Sequence, residues 1–209
     1  MFFTIVRPLI TLFLWIFYPV KVFGKENVIH DGNVVVICNH LGKMDVPYVG
    51  YNFKGKTYYL AKKEWFKNKF LAWLFDQMGG IPVDREKPDM ASTKKALSVL
   101  KSGKRLCIFP EGTRNRESTE IQPLHGGAGM FAFKTKAKII PMNIHHKPKL
   151  FGKNYVYVGK PFDFSEFDGQ KFDSELNDKL TQKMYEELCK AKVELEDILQ
   201  SKKKVKDKK

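Results

Sequence analysis

The chain has 209 residues, enough for one domain with a buried core, and its 37 Lys and Arg against 23 Asp and Glu leave a net charge of +14. That balance calls for an anionic partner: phosphates, acidic lipids or an acidic carrier protein. Nucleic-acid binding, the generic suggestion of so basic a chain, is not expected, since no recognition motif supports it and an apolar N-terminus opposes it.

From Phe2 to Val20 almost every residue is apolar, with Thr4, Arg7-Pro8 and Thr11 as the interruptions. There is no basic leader region and no small-x-small cleavage site, so a signal peptide is not expected. The uncharged run Leu9 to Tyr18 makes about 15 Å of helix, half of the about 30 Å of hydrocarbon in a bilayer. Pro8 and Pro19 bracket that run and predict helices that meet at a bend within one leaflet. Trp15, Phe17 and Tyr18 would then sit at the headgroups, with Lys21 and Lys25 on anionic lipid. A single span from Phe2 to Val20 with Arg7 snorkelling is the rival, and a helix packed on a soluble core the third arrangement. Both membrane versions leave the rest of the chain on the basic, cytoplasmic face. The expected organisation is a membrane-associated helical segment (1–22), a folded domain (23–200) and a basic disordered tail (201–209). Lys202 to Lys209 hold six lysines and one aspartate, and like charges with nothing apolar to bury resist folding.

Val34 to Cys38 is an apolar, β-branched run that reads as a buried strand ended by Asn39-His40. Gly42 allows a turn, and Asp45 is suited to cap a helix over Val46 to Phe53. A carboxylate one tight turn after the imidazole can accept its Nδ1–H, fix the tautomer and leave Nε2 as a base. Of the five histidines, His40 alone has an aspartate at this spacing.

Further along, strands are expected over Thr57 to Ala61, Ile81 to Val83, Arg105 to Phe109, Ile139 to Ile144 and Tyr155 to Gly159. Helices are expected over Phe66 to Met78, Pro88 to Lys101, Ala128 to Lys136 and Asp173 to Gln200. The last carries Leu176, Leu180, Met184, Leu188, Ala191, Leu195 and Leu199 on one face. Such alternation means an α/β fold with a largely parallel central sheet flanked by helices. Ligands bind outside the carboxyl ends of strands in sheets of that kind. Lys62 to Phe70 mixes lysines with aromatics and reads equally well as a lipid-contact or acyl-donor surface and as an amphipathic connection. Cys38, Cys107 and Cys189 lie far apart without Cys-x-x-Cys or His/Cys ligand spacing, which points to a reducing compartment and no metal site.

Two more strand ends carry candidate chemistry. Gly79-Gly80-Ile81-Pro82-Val83-Asp84-Arg85 places Arg85 after a strand, where its planar fork of donors can grip phosphate. Phe109-Pro110-Glu111-Gly112-Thr113-Arg114-Asn115-Arg116 gathers backbone N–H groups, a hydroxyl and two guanidiniums in one turn, an anion cradle by composition. Glu111 can there orient Arg114 or bind a glycerol hydroxyl.

Together these stretches resemble the glycerophospholipid acyltransferase family, and within it the enzymes that acylate lysophosphatidic acid. Asn39 to Asp45 matches its Asn-His-x4-Asp motif, Gly80 to Arg85 its Gly-x-x-x-x-Arg motif, and Phe109 to Arg114 its Phe-Pro-Glu-Gly-Thr-Arg motif. Ile139-Ile140-Pro141-Met142 matches the fourth, apolar-Pro motif. The four occur in family order within Phe23 to Gly159. One departure is His125, where the family often has a lysine before the Gly-Ala pair.

The resemblance implies transfer of a fatty-acyl group from acyl-CoA or acyl carrier protein to lysophosphatidic acid, with no resident cofactor and no metal. His40 would be the general base, oriented by Asp45. Arg85, Glu111, Gly112, Thr113 and Arg114 would hold the acceptor's phosphate and backbone. Glycerol 3-phosphate or another lysophospholipid would satisfy the same motifs, and a non-catalytic module that binds anionic membrane lipids is the alternative outside enzymology. Cys38 lies two residues from His40, but strand burial is the expected role of that thiol.

Overall fold

Five consecutive apolar residues that bury both faces make the middle strand of the sheet. In the computed structural model, which describes residues 2–84, 87 and 89–206, Val34–Cys38 is buried throughout. In chain order the elements are α1 (Phe2–Phe17), β1 (Val20–Phe23), β2 (Val34–Cys38), α2 (Asp45–Tyr51), β3 (Thr57–Lys62), α3 (Lys69–Gln77) and β4 (Gly80–Val83). They continue with α4 (Met90–Lys101), β5 (Arg105–Ile108), α5 (Gly127–Thr135), β6 (Lys138–Ile144), β7 (Asn154–Val158) and α6 (Ser174–Lys206). The seven strands follow the order β1-β7-β6-β2-β5-β3-β4, and every pairing is parallel except β6 with β7. The α/β expectation with a largely parallel sheet therefore holds.

Side chains alternate across β2. Val35 and Ile37 join Leu106, Ile108 and Ile139 beneath α4, α5 and α6. Val34, Val36 and Cys38 join Cys107, Ile140 and Met142 on the other face, where α1 and α2 pack. The α6 stripe Leu176, Leu180, Met184, Leu188, Ala191 and Leu195 is buried at helical spacing, as its sequence demands.

Element ends differ from the expected ones for identifiable reasons. The helix expected from Phe66 starts instead at Lys69, because the Asn68 Oδ1 accepts from the N–H groups of Phe70 (2.9 Å) and Leu71 (3.1 Å). Lys63–Phe66 forms a separate 3-10 turn. Val20–Phe23, expected to close the membrane segment, is an edge strand paired in parallel with β7, so the folded domain begins before residue 23. The stretch expected to be a disordered tail is helical through Lys206, carried on by a helix already anchored along its length. Asp207, Lys208 and Lys209 lie outside the described residues.

The N-terminus departs most from expectation. No bend separates two helices: α1 is one helix of 16 residues with Pro8 inside it. Among the described residues, no helix is long and apolar enough to cross a membrane. Arg7 does not snorkel, because its Nη2 donates to the Phe53 carbonyl at 2.8 Å. Ile10 and the buried Leu14 pack into the core on the same side. Half a helical turn away, Ile5, Leu9, Leu12 and Ile16 form an exposed stripe at i, i+4, i+7 and i+11. The helix is thus packed on the domain by one apolar face and presents a second to the outside.

Candidate active site

Parallel, in-register pairing decides which loops meet. β2 pairs with β5 so that Ile37 stands opposite Ile108. Three residues on in each chain segment, His40 and Glu111 emerge side by side at the carboxyl end of the sheet. On the other side, Cys38 stands opposite Met142 of β6. Asn39 uses both ends of its amide there: Oδ1 accepts from the Ile144 N–H at 2.8 Å, and Nδ2 donates to the Ile144 carbonyl at 3.0 Å.

The His40 backbone is held from the β5 side at both of its polar atoms. Its N–H donates to the Glu111 Oε1 at 2.9 Å, and its carbonyl accepts from the Asn115 N–H at 2.7 Å. The imidazole stacks on Phe109, with ring centroids 4.1 Å apart and planes 21° apart. His40 Nδ1 lies 2.8 Å from Asp45 Oδ2, and the same oxygen accepts from the N–H groups of Leu41 (2.6 Å) and Gly42 (2.7 Å). Asp45 is fully buried and its Oδ1 has no hydrogen-bond partner. A carboxylate that accepts two backbone N–H bonds is set up as an acceptor for Nδ1–H, which leaves His40 Nε2 as the basic nitrogen. Asp45 was expected to cap the following helix. It is instead the first residue of α2 and turns back to the loop it ends.

His40 lines a cavity of about 1180 Å³. One wall is α1 (Val6, Ile10), another is α2 with β3 (Val46, Leu60), and a third is Leu74, Phe75 and Met78 from α3 and its end. Thr113, Arg114 and Arg116 line the same space from the β5 loop, and the Arg114 Nε is buried without a partner. The site thus joins a basic nitrogen, an apolar wall and a guanidinium-bearing loop.

Two of the residues expected to hold an acceptor, Glu111 and Gly112, make contacts within the protein. Both Glu111 oxygens face the protein, since Oε2 also accepts from the Gln122 N–H at 3.4 Å. Burial pushes the Glu111 carboxyl up, and the His40 and Gln122 N–H groups oppose that shift. Glu111 thus anchors the His40 backbone from the loop after β5. The Gly112 N–H closes the turn onto the Phe109 carbonyl (3.0 Å), and its φ of +69° with His125 packed over it suits glycine alone. Arg85 lies outside the described residues. Cys38 is buried, and burial raises its thiol pKa well above the usual range, which disfavours the thiolate. Among the described residues, no group of three His, Cys, Asp or Glu could hold a metal.

A family model described as "Acyltransferase" matches residues 19–145, more than half of the chain. The 1-acyl-sn-glycerol-3-phosphate acyltransferase of Bacillus subtilis (strain 168) is 36% identical over 154 residues, which covers 71% of this chain and 76% of that protein. The chain belongs to the acyltransferase family. The enzyme of the same name from Borreliella burgdorferi is 29% identical to this acyltransferase over 197 residues, or 87% of this chain and 78% of that one. The crystal structure of the 1-acyl-sn-glycerophosphate (LPA) acyltransferase PlsC from Thermotoga maritima matches with a TM-score of 0.69 at 26% identity. It covers 93% of this acyltransferase and is itself covered to 78%.

Asn39, Phe109, Asn115 and Gln122 are the parts of the site that residue spacing alone misses. Asn39, Phe109 and Asn115 meet partners across the β2–β6 and β2–β5 pairings, so only the strand order reveals them, whereas Gln122 meets Glu111 within the loop that follows β5. The Glu111 anchor gives a direct expectation for the acyltransferase. Glu111→Ala leaves the His40 N–H buried and unpaired, which costs about 1–3 kcal/mol. Thermal unfolding of the variant should fall by about 2–4 °C per kcal/mol, with turnover reduced as His40 loosens. An unchanged Tm with unchanged turnover would contradict the anchoring role.

Proposed function

We propose that this acyltransferase moves a fatty-acyl group from an acyl thioester to the free sn-2 hydroxyl of lysophosphatidic acid, giving phosphatidic acid. The observation that carries the proposal is the His40–Asp45 pair at a cavity with an apolar wall and an arginine loop. The names of the relatives agree with it.

His40 Nε2 removes the proton of the glycerol hydroxyl, and the Asp45 carboxylate stabilises the imidazolium. The hydroxyl oxygen bonds to the thioester carbonyl carbon, the carbon–sulfur bond breaks, and the thiolate leaves with the imidazolium proton. A thiol with a pKa of about 8.5 needs little help to leave. Thr113 and Arg114, with Arg85 from the neighbouring motif, hold the acceptor phosphate, so that binding is converted into proximity. The acyl chain of the donor, acyl-CoA or acyl carrier protein, lies against Ile10, Leu74 and Met78.

The exposed stripe of α1 is proposed to lie in the interface of a membrane, whose lipids supply the acceptor. A triple change of Leu9, Leu12 and Ile16 to Ser should weaken vesicle binding more than tenfold, since each fully buried side chain of this kind contributes about 1.5–3 kcal/mol. Activity on micellar substrate should be kept, because none of the three lines the cavity. Vesicle binding equal to wild type would remove α1 from the membrane.

The acceptor is tested by offering lysophosphatidic acid, glycerol 3-phosphate and lysophosphatidylethanolamine separately with labelled acyl-CoA, then with acyl carrier protein. Product from lysophosphatidic acid is expected. Product from another acceptor alone would overturn the substrate, and no product with either donor would overturn the activity.

A further inference from the structure

The strong excess of positive charge is not explained by the active site, and part of it converges elsewhere. A groove of about 680 Å³ runs between the end of α1, the β1–β7 edge and the last turns of α6. Lys21 from β1, Lys153 from the turn before β7, and Lys202 and Lys203 from α6 all line it. The two ends of the chain thus bring their lysines to one place. The Lys202 and Lys21 ammonium groups share a single aromatic ring, at 4.0 Å and 5.5 Å from the Phe23 centroid. Desolvation and then the Lys21 charge lower the pKa of Lys202. No carboxylate of the described residues pairs with any of the four lysines.

Like charges gathered over one ring without a counter-ion are a site for an anion. The rim indicates which anion. Trp15, 74% exposed, and Phe151, 67% exposed, border the same groove. Phe151 is tied to α1, its N–H donating to the Phe17 carbonyl at 2.7 Å and its ring lying 5.5 Å from that of Phe17. A free phosphate has no use for that apolar border, whereas acyl chains below a headgroup do.

We propose that this groove binds the phosphate headgroup of an anionic phospholipid in the bilayer, at a site separate from the His40 cavity. The proposal rests on the interfacial placement of α1. It sets the orientation of the enzyme: the apolar stripe enters the lipid while both chain ends clasp a headgroup beside it.

The test is co-sedimentation of the full chain with vesicles of phosphatidylcholine alone and of phosphatidylcholine with phosphatidylglycerol. Wild type should bind the anionic vesicles more tightly, and less so as salt rises. Lys21→Gln/Lys202→Gln/Lys203→Gln should bind them on the order of 10²-fold more weakly, roughly fivefold for each lysine near the surface. A control with the same net charge, Lys94→Gln/Lys101→Gln/Lys171→Gln, should change binding by no more than about twofold, because those lysines lie away from the groove. Equal loss in the control would reduce the effect to net charge and overturn the site. So would equal binding of wild type to both vesicles, or displacement by millimolar inorganic phosphate, which would assign the groove to the free ion. Acyl transfer by the groove variant in detergent micelles should equal wild type, so failure of the groove and failure of the acyltransferase proposal give separate results.

Discussion

His40→Ala should lower the rate of acyl transfer by about 10²–10⁴ or more while the protein stays folded. Proton removal by a positioned side chain contributes rate of that size, and His40 is the one imidazole in the site with an oriented nitrogen. The fold should tolerate the change because the backbone contacts that hold residue 40, to Glu111 and Asn115, use the N–H and carbonyl and survive the loss of the ring. What is lost is the stack on Phe109 at the edge of an existing cavity and one of three donors to the buried Asp45 Oδ2, which keeps the N–H groups of Leu41 and Gly42. Turnover on micellar lysophosphatidic acid, read beside a circular-dichroism melt, checks both halves of the expectation. Wild-type turnover in the variant would remove His40 as the base.

Asp45→Asn should cost less, on the order of 10²-fold, and for a reason visible in the loop. Three donors converge on Asp45 Oδ2: the imidazole Nδ1–H and the N–H groups of Leu41 and Gly42. Two fixed backbone donors forbid an NH₂ group at that position, so the Asn side-chain oxygen must take it. The tautomer of His40 is then preserved and only the charge opposite the imidazolium is lost. The amide nitrogen falls where Oδ1 already lacks a partner, so one orphan replaces another. Asp45→Ala should be worse in a different way. It strands the Leu41 and Gly42 N–H groups at about 1–3 kcal/mol each, and the melt should move as well as the rate. Comparing Asn with Ala by turnover and by melting separates the charge from the scaffold. If Asn lowers the Tm as far as Ala does, the oxygen is not being replaced as described.

Features that depend on local pattern were legible in the residues. β-branched residues marked β2 and β6, a short apolar run marked β5, and the five-residue spacing of His40 and Asp45 identified a pair that the loop does bring to 2.8 Å. What depended on which strand lies next to which was not legible. The family motif makes Glu111 a candidate for substrate contact, but its partner, the His40 N–H, is 71 residues away and adjacent only because β2 and β5 pair in register. Asn39 meets Ile144 for the same kind of reason, across the β2–β6 pairing. The N-terminus misled because both faces of α1 are apolar. Hydropathy reports apolar surface without saying which half the protein covers, and Arg7, the charge that called for a route to water, binds the Phe53 carbonyl instead. At the other end, charge density argued against order, whereas α6 enters its basic stretch as an established helix and adds each turn without a new nucleus.

The central claim is direct attack on a thioester by a hydroxyl that His40 deprotonates, with no acyl-enzyme between. It is tested most directly by following free thiol and phosphatidic acid together, at enzyme concentrations comparable to the acyl-CoA, with and without lysophosphatidic acid. Thiol and phosphatidic acid appearing one for one, only when the acceptor is present and not in His40→Ala, is the predicted result. A burst of thiol equal to the enzyme in the absence of acceptor would contradict it.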